Sequence, residues 1–262
     1  MRLTRATHPW ISVAPEAHAS LTASRIGEQA SIAALRGWAS PLLTFHAIPH
    51  WCGVVARFSD DSLATDLGGP AARLCRTTQV HGAQWIDAKH CVGVRCEADA
   101  VVSRYPNLVA AVSTADCCPV LVACLASGCV AAIHAGWRGL AADVIGATIH
   151  GMVSDYGAQP ARMVATIGPC VSGVRYEVGV EVMNAFAARG LSSAIRVPAE
   201  TRPEHAFADC GKAACMLLLR AGVPAESVES TAPCTIGDLR FPSYRRDPSN
   251  PARMTSAIAC RA

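Results

Sequence analysis

The sequence has little net charge for its length, since its 262 residues carry a formal charge of +3 at pH 7. Its arginines are scattered along the chain and form no basic stripe. Proteins that bind nucleic acids need clustered positive charge, so this composition gives no case for a nucleic-acid partner. We therefore expect the partner to be a small molecule.

The sequence also lacks a recognisable export signal and membrane span. Prolines at positions 9 and 15 interrupt the N-terminal apolar residues before they reach the length of a signal peptide. The uncharged stretch from Cys117 to Ile133 approaches the length of a short membrane span, but Pro119 and the small turn residues 126–128 divide it into two halves of strand length. We expect a cytoplasmic protein with no membrane segment.

Thirteen cysteines are many, yet we do not expect a disulfide framework. Their number is odd and their spacing is irregular, whereas disulfide frameworks are typical of small secreted domains. We expect most of these cysteines to be small buried hydrophobic residues in the reducing cytosol.

The chain is long enough for one large domain, and 51% of its residues are hydrophobic. Residues 1–45 are rich in alanine, and within them the spacing of apolar residues predicts a short helix over RIGEQASIAALRGWA. We treat residues 1–45 as an N-terminal segment without an assigned fold and residues 46–262 as the domain. No repeat or linker divides the latter.

From Trp51 onward the pattern changes to short apolar runs between turn residues, which is typical of strands. The predicted strands are CGVVARFS, CRTTQVHG, QWIDA, DAVVSR, NLVAAVS, CPVLVAC and CVAAIHA. A helix is predicted over residues 139–157, with Gly157 as its end. The strand RMVATIG, the helices VGVEVMNAFAARG and CGKAACMLLLRAG, and a terminal strand after the loop in FPSYRRDPSNPARMTSAIAC complete the prediction.

Three side chains that bind metals well stand at the ends of predicted strands: His81, Cys117 and His134. Their separations of 36 and 17 residues are too long for a zinc finger, so only a large folded core could bring them together. Two imidazoles and one thiolate leave a fourth position open for water or substrate. This is the pattern of a catalytic zinc site.

Each of these residues also has an ordinary interpretation. A single His near a strand end is more often a hydrogen-bonded structural residue, and a single Cys in an apolar run usually belongs to the core. Cys118 competes with Cys117, because alternation along a strand would point the two in opposite directions. Asp116 either orients a metal-bound imidazole or caps its own turn. Cys170 could line the same cleft, although structural packing is the favoured interpretation.

Two further segments could complete a site. In HAGWRG the glycines permit close backbone approach, and Arg138 near a helix start could hold a phosphate; a tight turn with a surface arginine is the alternative. In SYRRD, Tyr244 and Arg245 could bracket a charged, ring-bearing substrate, with Tyr176 as another aromatic platform. The alternative for this segment is a surface ion pair with Asp247.

Six segments in this order carry a resemblance: QVHG, ADAVVS, TADCCPVL, IHAGWRG, IGPCV with YEVG, and FPSYRRD. Together they resemble the bacterial laccase-domain proteins, also called multicopper polyphenol oxidoreductases or peptidoglycan editing factors and now regarded as zinc-dependent purine nucleoside enzymes. The resemblance covers roughly residues 51–260. It implies that His81, Cys117 and His134 are the metal ligands, and it thus selects Cys117 over Cys118.

The resemblance further implies an α+β fold, a single domain of four layers, α/β/β/α, with mixed sheets. The implied activities are phosphorolysis of adenosine, inosine and methylthioadenosine and deamination of adenosine, with Zn²⁺ as cofactor and with purine nucleosides and phosphate as ligands. The family's arginine followed by glycines is reduced here to Arg57, Phe58 and Ser59. We expect a monomer or homodimer. The predicted substrate-binding residues are Arg57, Arg138, Tyr176, Tyr244 and Arg245.

The copper in the family's older name can be examined from residue types. A multicopper oxidase needs many imidazoles, commonly in pairs one residue apart, and this chain has nine His and no such pair. Copper-dependent oxidation of phenols is therefore the second hypothesis. A non-enzymatic zinc-stabilised binding protein and a cysteine hydrolase with Cys117 as nucleophile are further alternatives.

Overall fold

The fold is known from a computed structural model that describes residues 45–48, 51–57, 63–94, 96–230 and 233–260, with the backbone alone in the first two ranges. All of these residues belong to the unit Ser40–Ala262. The helix predicted over RIGEQASIAALRGWA lies outside the described residues. The division at residue 45 therefore stays a prediction.

Two mixed sheets form the centre of the domain. The first contains, in spatial order, β1 (Phe45–Ile48), β2 (Trp51–Arg57), β14 (Met254–Cys260), β6 (Leu108–Thr114) and β3 (Arg73–Cys75). The second contains β13 (Val228–Ser230), β9 (Met163–Ile167), β7 (Cys118–Cys124), β8 (Val130–Ala135), β5 (Ala100–Ser103) and β4 (Trp85–Asp87). Parallel pairing occurs at the β3 edge of the first sheet and at both edges of the second, and the other neighbours are antiparallel.

Helices cover both sheets. The described helices are α1 (Leu63–Gly68), α2 (Trp137–Ala141), α3 (Val144–Tyr156), α4 (Val180–Ala188) and α5 (Cys210–Arg220). A small third sheet, with the order β10 (Glu177–Gly179), β12 (His205–Ala208) and β11 (Ile195–Arg196), lies beside α4.

The alternation of side chains along β7 shows how the layers are built. Val120 and Val122 belong to the core between the second sheet and the helices, whereas Leu121 and Ala123 belong to the core between the two sheets. Because every residue of this strand is buried, its sequence is apolar throughout and does not alternate with polar residues.

The outer face of the first sheet is covered by α1. Leu63 and Leu67 of this helix pack on Val109, Ala111 and Ala257. The layers are therefore helix, sheet, sheet and helices, and the predicted α+β fold of four layers with mixed sheets is confirmed.

Two predicted elements differ in the structure. The helix predicted over residues 139–157 is two helices, because Asp143 between them adopts a left-handed φ of 65° and its carboxylate accepts the Gly146 amide hydrogen at 3.0 Å, which starts α3 afresh. A strand was predicted over CRTTQVHG, but the observed strand β3 ends at the first residue of that segment, Cys75. Beyond Cys75, Thr78 alone pairs with another strand segment, in an isolated bridge with Glu97. Helix α3 ends at Gly157 as predicted.

Strands β10 to β13 contain two to four residues each and were not predicted from the sequence. Segments of this length are too short to show the alternation on which strand prediction depends. Among the described helices, none has the length and apolar character needed to cross a bilayer.

A matched pair of Leu→Ala substitutions tests the core between the sheets. Leu121 is 3% exposed in that core and Leu239 is 82% exposed in a loop. We expect Leu121→Ala to lower the free energy of unfolding by about 2–5 kcal/mol, because it leaves a cavity. Leu239→Ala should change it by less than about 0.5 kcal/mol. Urea unfolding measures both, and equal effects would contradict the layer arrangement.

Candidate metal centre

The three predicted ligands come from three segments and meet at one place. His81 lies in the turn after the Thr78 bridge, Cys117 immediately precedes β7, and His134 lies within β8. β7 and β8 are antiparallel neighbours, with Pro119 opposite His134. One donor atom from each of the three ligands lies within 4.8 Å of the others, so this group could bind a metal ion.

The spacing and exposure of the group suit a single ion. Cys117 Sγ lies 3.8 Å from His81 Nε2. Zinc bond lengths of about 2.3 Å to sulfur and about 2.0–2.1 Å to nitrogen place tetrahedral ligand atoms roughly 3.6 Å apart, which is close to this distance. His134 is buried, Cys117 is half-buried and His81 is exposed. The group therefore has a protein side and an open side, as a site with a vacant coordination position requires.

Cys117, rather than Cys118, faces the imidazoles. Cys118 is fully buried in the helix-side core, where a hydrogen bond with Cys170 and burial hold the pKa of the Cys118 thiol well above its usual value. Cys170 is buried in the same core, which agrees with the packing role favoured for it. Alternation along the strand thus separates the two adjacent cysteines, as expected.

The cluster changes the acidity of its own members. Burial would raise the pKa of the Cys117 thiol, but hydrogen bonds with His134 and His81 lower it to about 7. Burial would lower the pKa of His134, but its hydrogen bonds with Asp99 and Cys117 raise it to about 9. A thiolate beside imidazoles is thus favoured. A divalent ion that bound here would displace the protons held among these groups, so metal binding would release protons.

A buried carboxylate that sequence reasoning missed binds one of the imidazoles. Asp99 is 0% exposed, and its Oδ1 lies 2.7 Å from Nδ1 of His134. Burial would raise the pKa of Asp99, but the hydrogen bonds from His134 and from the backbone amides of Gly82 and His81 lower it. The one signal in the sequence is an acidic residue directly before the fully buried strand β5.

Asp116, the carboxylate considered for this orienting role, has a different one. Its Oδ1 accepts a hydrogen bond from the Thr235 hydroxyl at 2.6 Å, and its Oδ2 accepts one from the Arg245 amide at 2.6 Å. Its own backbone has a left-handed φ of 87°. Asp116 therefore ties the turn that contains Cys117 to the C-terminal loops. Neither of its two predicted roles describes these contacts.

Gly136 allows the ligands to approach the backbone. A Cβ atom at this position would lie 3.0 Å from Cys117 Sγ and 3.0 Å from Cδ2 of His81. Such contacts are tighter than most Cβ atoms make, so a side chain here would push against both ligands and the glycine leaves them room.

A cavity of about 220 Å³ lies beside the next residue, Trp137. Tyr176 and Arg245 also line it, and the Arg245 guanidinium lies 5.1 Å from the centroid of the Tyr176 ring. Burial, Cys210 and Cys117 raise the pKa of Tyr176 to about 12, against a lowering by Arg245. The remaining lining residues are Glu177, Val178, Gly179, Glu181, Val182, Arg202 and His205.

The other predicted substrate contacts lie elsewhere. Arg138 is exposed, with its guanidinium 4.3 Å from the centroid of the Trp137 ring, and it is not one of the residues that line the cavity. Tyr244 is 56% exposed and also lies outside the cavity lining. The side chain of Arg57 lies outside the described residues. The structure therefore brings Tyr176 and Arg245 together, and the roles predicted for the other three stay predictions.

The segment SYRRD is not held by the surface ion pair considered for it. Arg246 donates hydrogen bonds to the backbone carbonyls of Thr235 and Phe241, and Asp247 accepts hydrogen bonds from the amide and hydroxyl of Ser249. Arg246 thus stabilises the loop through hydrogen bonds to its backbone carbonyls. Its neighbour Arg245 lines the cavity.

Known proteins match this chain in sequence. A family model described as "Multi-copper polyphenol oxidoreductase laccase" matches residues 55–261. A purine nucleoside phosphorylase of Deinococcus radiodurans is 37% identical over 196 residues, which cover 75% of this chain and 74% of the relative. One from Xylella fastidiosa is 40% identical over 151 residues, which cover 57% of this chain and 56% of the relative. The match thus spans little more than half of the Xylella relative's length.

Solved structures match the fold. The crystal structure of a Neisseria meningitidis protein has a TM-score of 0.71 and 26% identity, with 84% of this chain and 99% of that one covered. A Bacillus licheniformis hypothetical protein, YfiH, has the same TM-score of 0.71 at 19% identity, with 83% of this chain and 99% of that one covered, and shows the fold alone. The family model matches residues 55–261, which make up most of this chain. The chain therefore belongs to the laccase-domain family, whose model is described as "Multi-copper polyphenol oxidoreductase laccase".

Proposed function

We propose that this protein is a purine nucleoside phosphorylase that holds one Zn²⁺ ion with His81, Cys117 and His134 and that also deaminates adenosine. The observation that carries the proposal is the convergence of two imidazoles and one thiol within 4.8 Å of one another. The relatives named purine nucleoside phosphorylase support an enzyme of this general kind.

The proposed substrates are adenosine, inosine and methylthioadenosine, with phosphate as the second substrate. In phosphorolysis a phosphate oxygen forms a bond to the anomeric carbon of the sugar while the bond from that carbon to the base nitrogen breaks. In deamination water adds at C6 of adenosine and ammonia leaves. When bound, Zn²⁺ would supply Lewis acidity and activate water near neutral pH.

The cavity beside the cluster supplies the binding groups. Tyr176 offers an aromatic face for the purine ring. Since its pKa is raised to about 12, its phenol stays protonated at neutral pH and can also donate a hydrogen bond. The cation of Arg245, held beside this ring, would attract phosphate through charge-assisted hydrogen bonds. Trp137 connects this cavity to Gly136 and hence to the ligands.

Copper is the competing metal. Two His and one Cys also form the ligand set of electron-transfer copper sites, and the family's description names copper. A multicopper oxidase needs further copper sites, however, and among the described residues His81, Cys117 and His134 are the one group of this kind. We therefore propose zinc, with phenol oxidation as the alternative that metal analysis tests.

The proposed compartment is the cytoplasm. The twelve cysteines whose side chains the structure describes are all free thiols. Free thiols at this density suit a reducing compartment.

The direct test is to incubate purified protein with adenosine or inosine and phosphate and to identify the products by chromatography, with metal content measured on the same sample. We expect stoichiometric zinc and formation of adenine, inosine and hypoxanthine. His81→Ala removes a ligand, so activity should fall by more than the roughly 10- to 100-fold that losing an outer-shell partner of a metal ligand costs. His150→Ala, on the exposed side of α3, is the matched control and should retain activity.

Each alternative has its own result in this assay. Stoichiometric copper with oxygen uptake on phenols would establish the oxidase. Zinc without turnover of any nucleoside would indicate a binding protein. Activity that survives removal of the metal but is lost in Cys117→Ser would indicate a cysteine nucleophile.

A comparison of two arginines tests where phosphate binds. Arg245→Gln removes a cation that lines the cavity, so the KM for phosphate should rise about 10- to 100-fold, the value of a charged hydrogen bond. Arg138→Gln removes an exposed cation outside the cavity lining and should raise it much less. Steady-state kinetics at varied phosphate concentration measure both. A larger effect of Arg138→Gln would place phosphate beside Arg138, outside the cavity.

A further inference from the structure

We propose that Asp99 is a positioning residue that holds both imidazoles of the metal centre in their binding geometry. The affinity for the ion would then depend on a carboxylate that never touches it. This inference rests on the proposed metal site, because it concerns how that site is kept in shape. It assigns a role to a residue outside the three ligands.

The contacts of Asp99 reach two separate segments. Its Oδ1 binds Nδ1 of His134 at 2.7 Å and accepts the His81 amide hydrogen at 2.9 Å. Its Oδ2 accepts the amide hydrogens of Gly82 at 2.6 Å and Val80 at 3.3 Å. The side chain is 0% exposed, so no water competes for these bonds. One buried carboxylate is therefore the common partner of both imidazole-bearing segments.

The bond to His134 fixes the form of its ring. An ionised carboxylate only accepts hydrogen bonds, so Nδ1 must carry the hydrogen when it binds Asp99. In the neutral ring the lone pair then lies on Nε2, the nitrogen left to face the other ligands. The main chain strengthens this placement, because the His134 amide donates a hydrogen bond to the Asp99 carbonyl at 2.7 Å.

The bonds to the other segment fix the turn that carries His81. The backbone of His81 has a left-handed φ of 60°, which non-glycine residues seldom adopt. Three successive amides of this turn, from Val80 to Gly82, point at the same carboxylate. Such a convergence of amides forms an anion-binding concavity. The charge of Asp99 thus holds the turn in the conformation that presents the His81 ring to Cys117.

An amide of the same shape cannot replace the carboxylate. Asparagine would direct its NH₂ group either at the amide hydrogens of the turn or at Nδ1 of His134. In the first orientation the NH₂ group faces the backbone N–H groups of the turn. Because both are hydrogen-bond donors, no bond forms and the turn that carries His81 is released. The second forces the hydrogen of His134 onto Nε2 and removes the lone pair needed for the ion. Either result weakens metal binding although the volume of the side chain is unchanged.

The test compares Asp99→Asn with Asp87→Asn, which is the same substitution at another largely buried carboxylate, one whose partners are Lys89 and Tyr156. Zinc affinity is measured on the full chain by competition with a chromophoric chelator. We expect about 10- to 100-fold weaker binding in Asp99→Asn, the usual cost of losing an outer-shell partner, and less than about 3-fold in Asp87→Asn. Equal losses in the two variants, or no loss in Asp99→Asn, would overturn the proposal.

Hydrogen exchange in the metal-free proteins gives a second readout. The amides of His81 and Gly82 should exchange faster in Asp99→Asn than in the wild-type protein, and Asp87→Asn should leave them unchanged. Unchanged exchange in Asp99→Asn would contradict the role in holding the turn. If the wild-type protein binds no zinc, the metal centre itself is refuted, and the exchange rates still test Asp99.

A third readout needs no variant and so does not depend on whether Asp99→Asn folds. Nitrogen-15 spectra of the zinc-bound wild-type protein should show His134 with its hydrogen on Nδ1 and the ion on Nε2. A hydrogen on Nε2, or the ion on Nδ1, would overturn the proposal.

Discussion

The hydrogen bond between the buried Asp99 carboxylate and His134 is the interaction on which the site depends. A fully buried carboxylate is costly unless hydrogen bonds compensate for its lost hydration, and here one ring nitrogen and three backbone amides do so. Because those donors belong to two segments, the need to compensate this charge forces the segments together. The position of His81 relative to His134 follows from that requirement.

The second sheet supplies the rigid frame around this interaction. Asp99 immediately precedes β5, which pairs with β8, the strand of His134, and β8 pairs in turn with β7, which Cys117 immediately precedes. Residues of these strands are almost completely buried between the other sheet and the helices. The apolar core therefore positions two ligands and the carboxylate, and only His81 depends on a turn. Asp116 links the same region to the loop of Arg245 and hence to the cavity.

The sequence predicted the four layers and the three side chains that the structure brings together in the cluster. Local signals were sufficient for this, because each ligand stands where an apolar run meets Gly, Asp or Pro. The orienting carboxylate could not be found in the same way. Asp116 was considered for this role because it is next to Cys117 in the chain. Asp99 is far from His134 in the chain and reaches it only through the pairing of β5 with β8. The spacing of apolar residues also did not predict the break between α2 and α3. This break depends on the left-handed backbone of Asp143, which the spacing of apolar residues does not show. Of the residues predicted to contact substrate, Tyr176 and Arg245 line the cavity and Arg138 and Tyr244 lie outside its lining, because suitable chemistry does not tell which side chains share a cavity.

X-ray absorption at the zinc edge of the purified protein tests the central claim most directly, because it reports the atoms around the ion itself. The account predicts one sulfur at about 2.3 Å and two nitrogens at about 2.0–2.1 Å, with one further light atom completing four ligands. A spectrum with no sulfur neighbour, or with more than one, would contradict the assignment of His81, Cys117 and His134 as the ligand set.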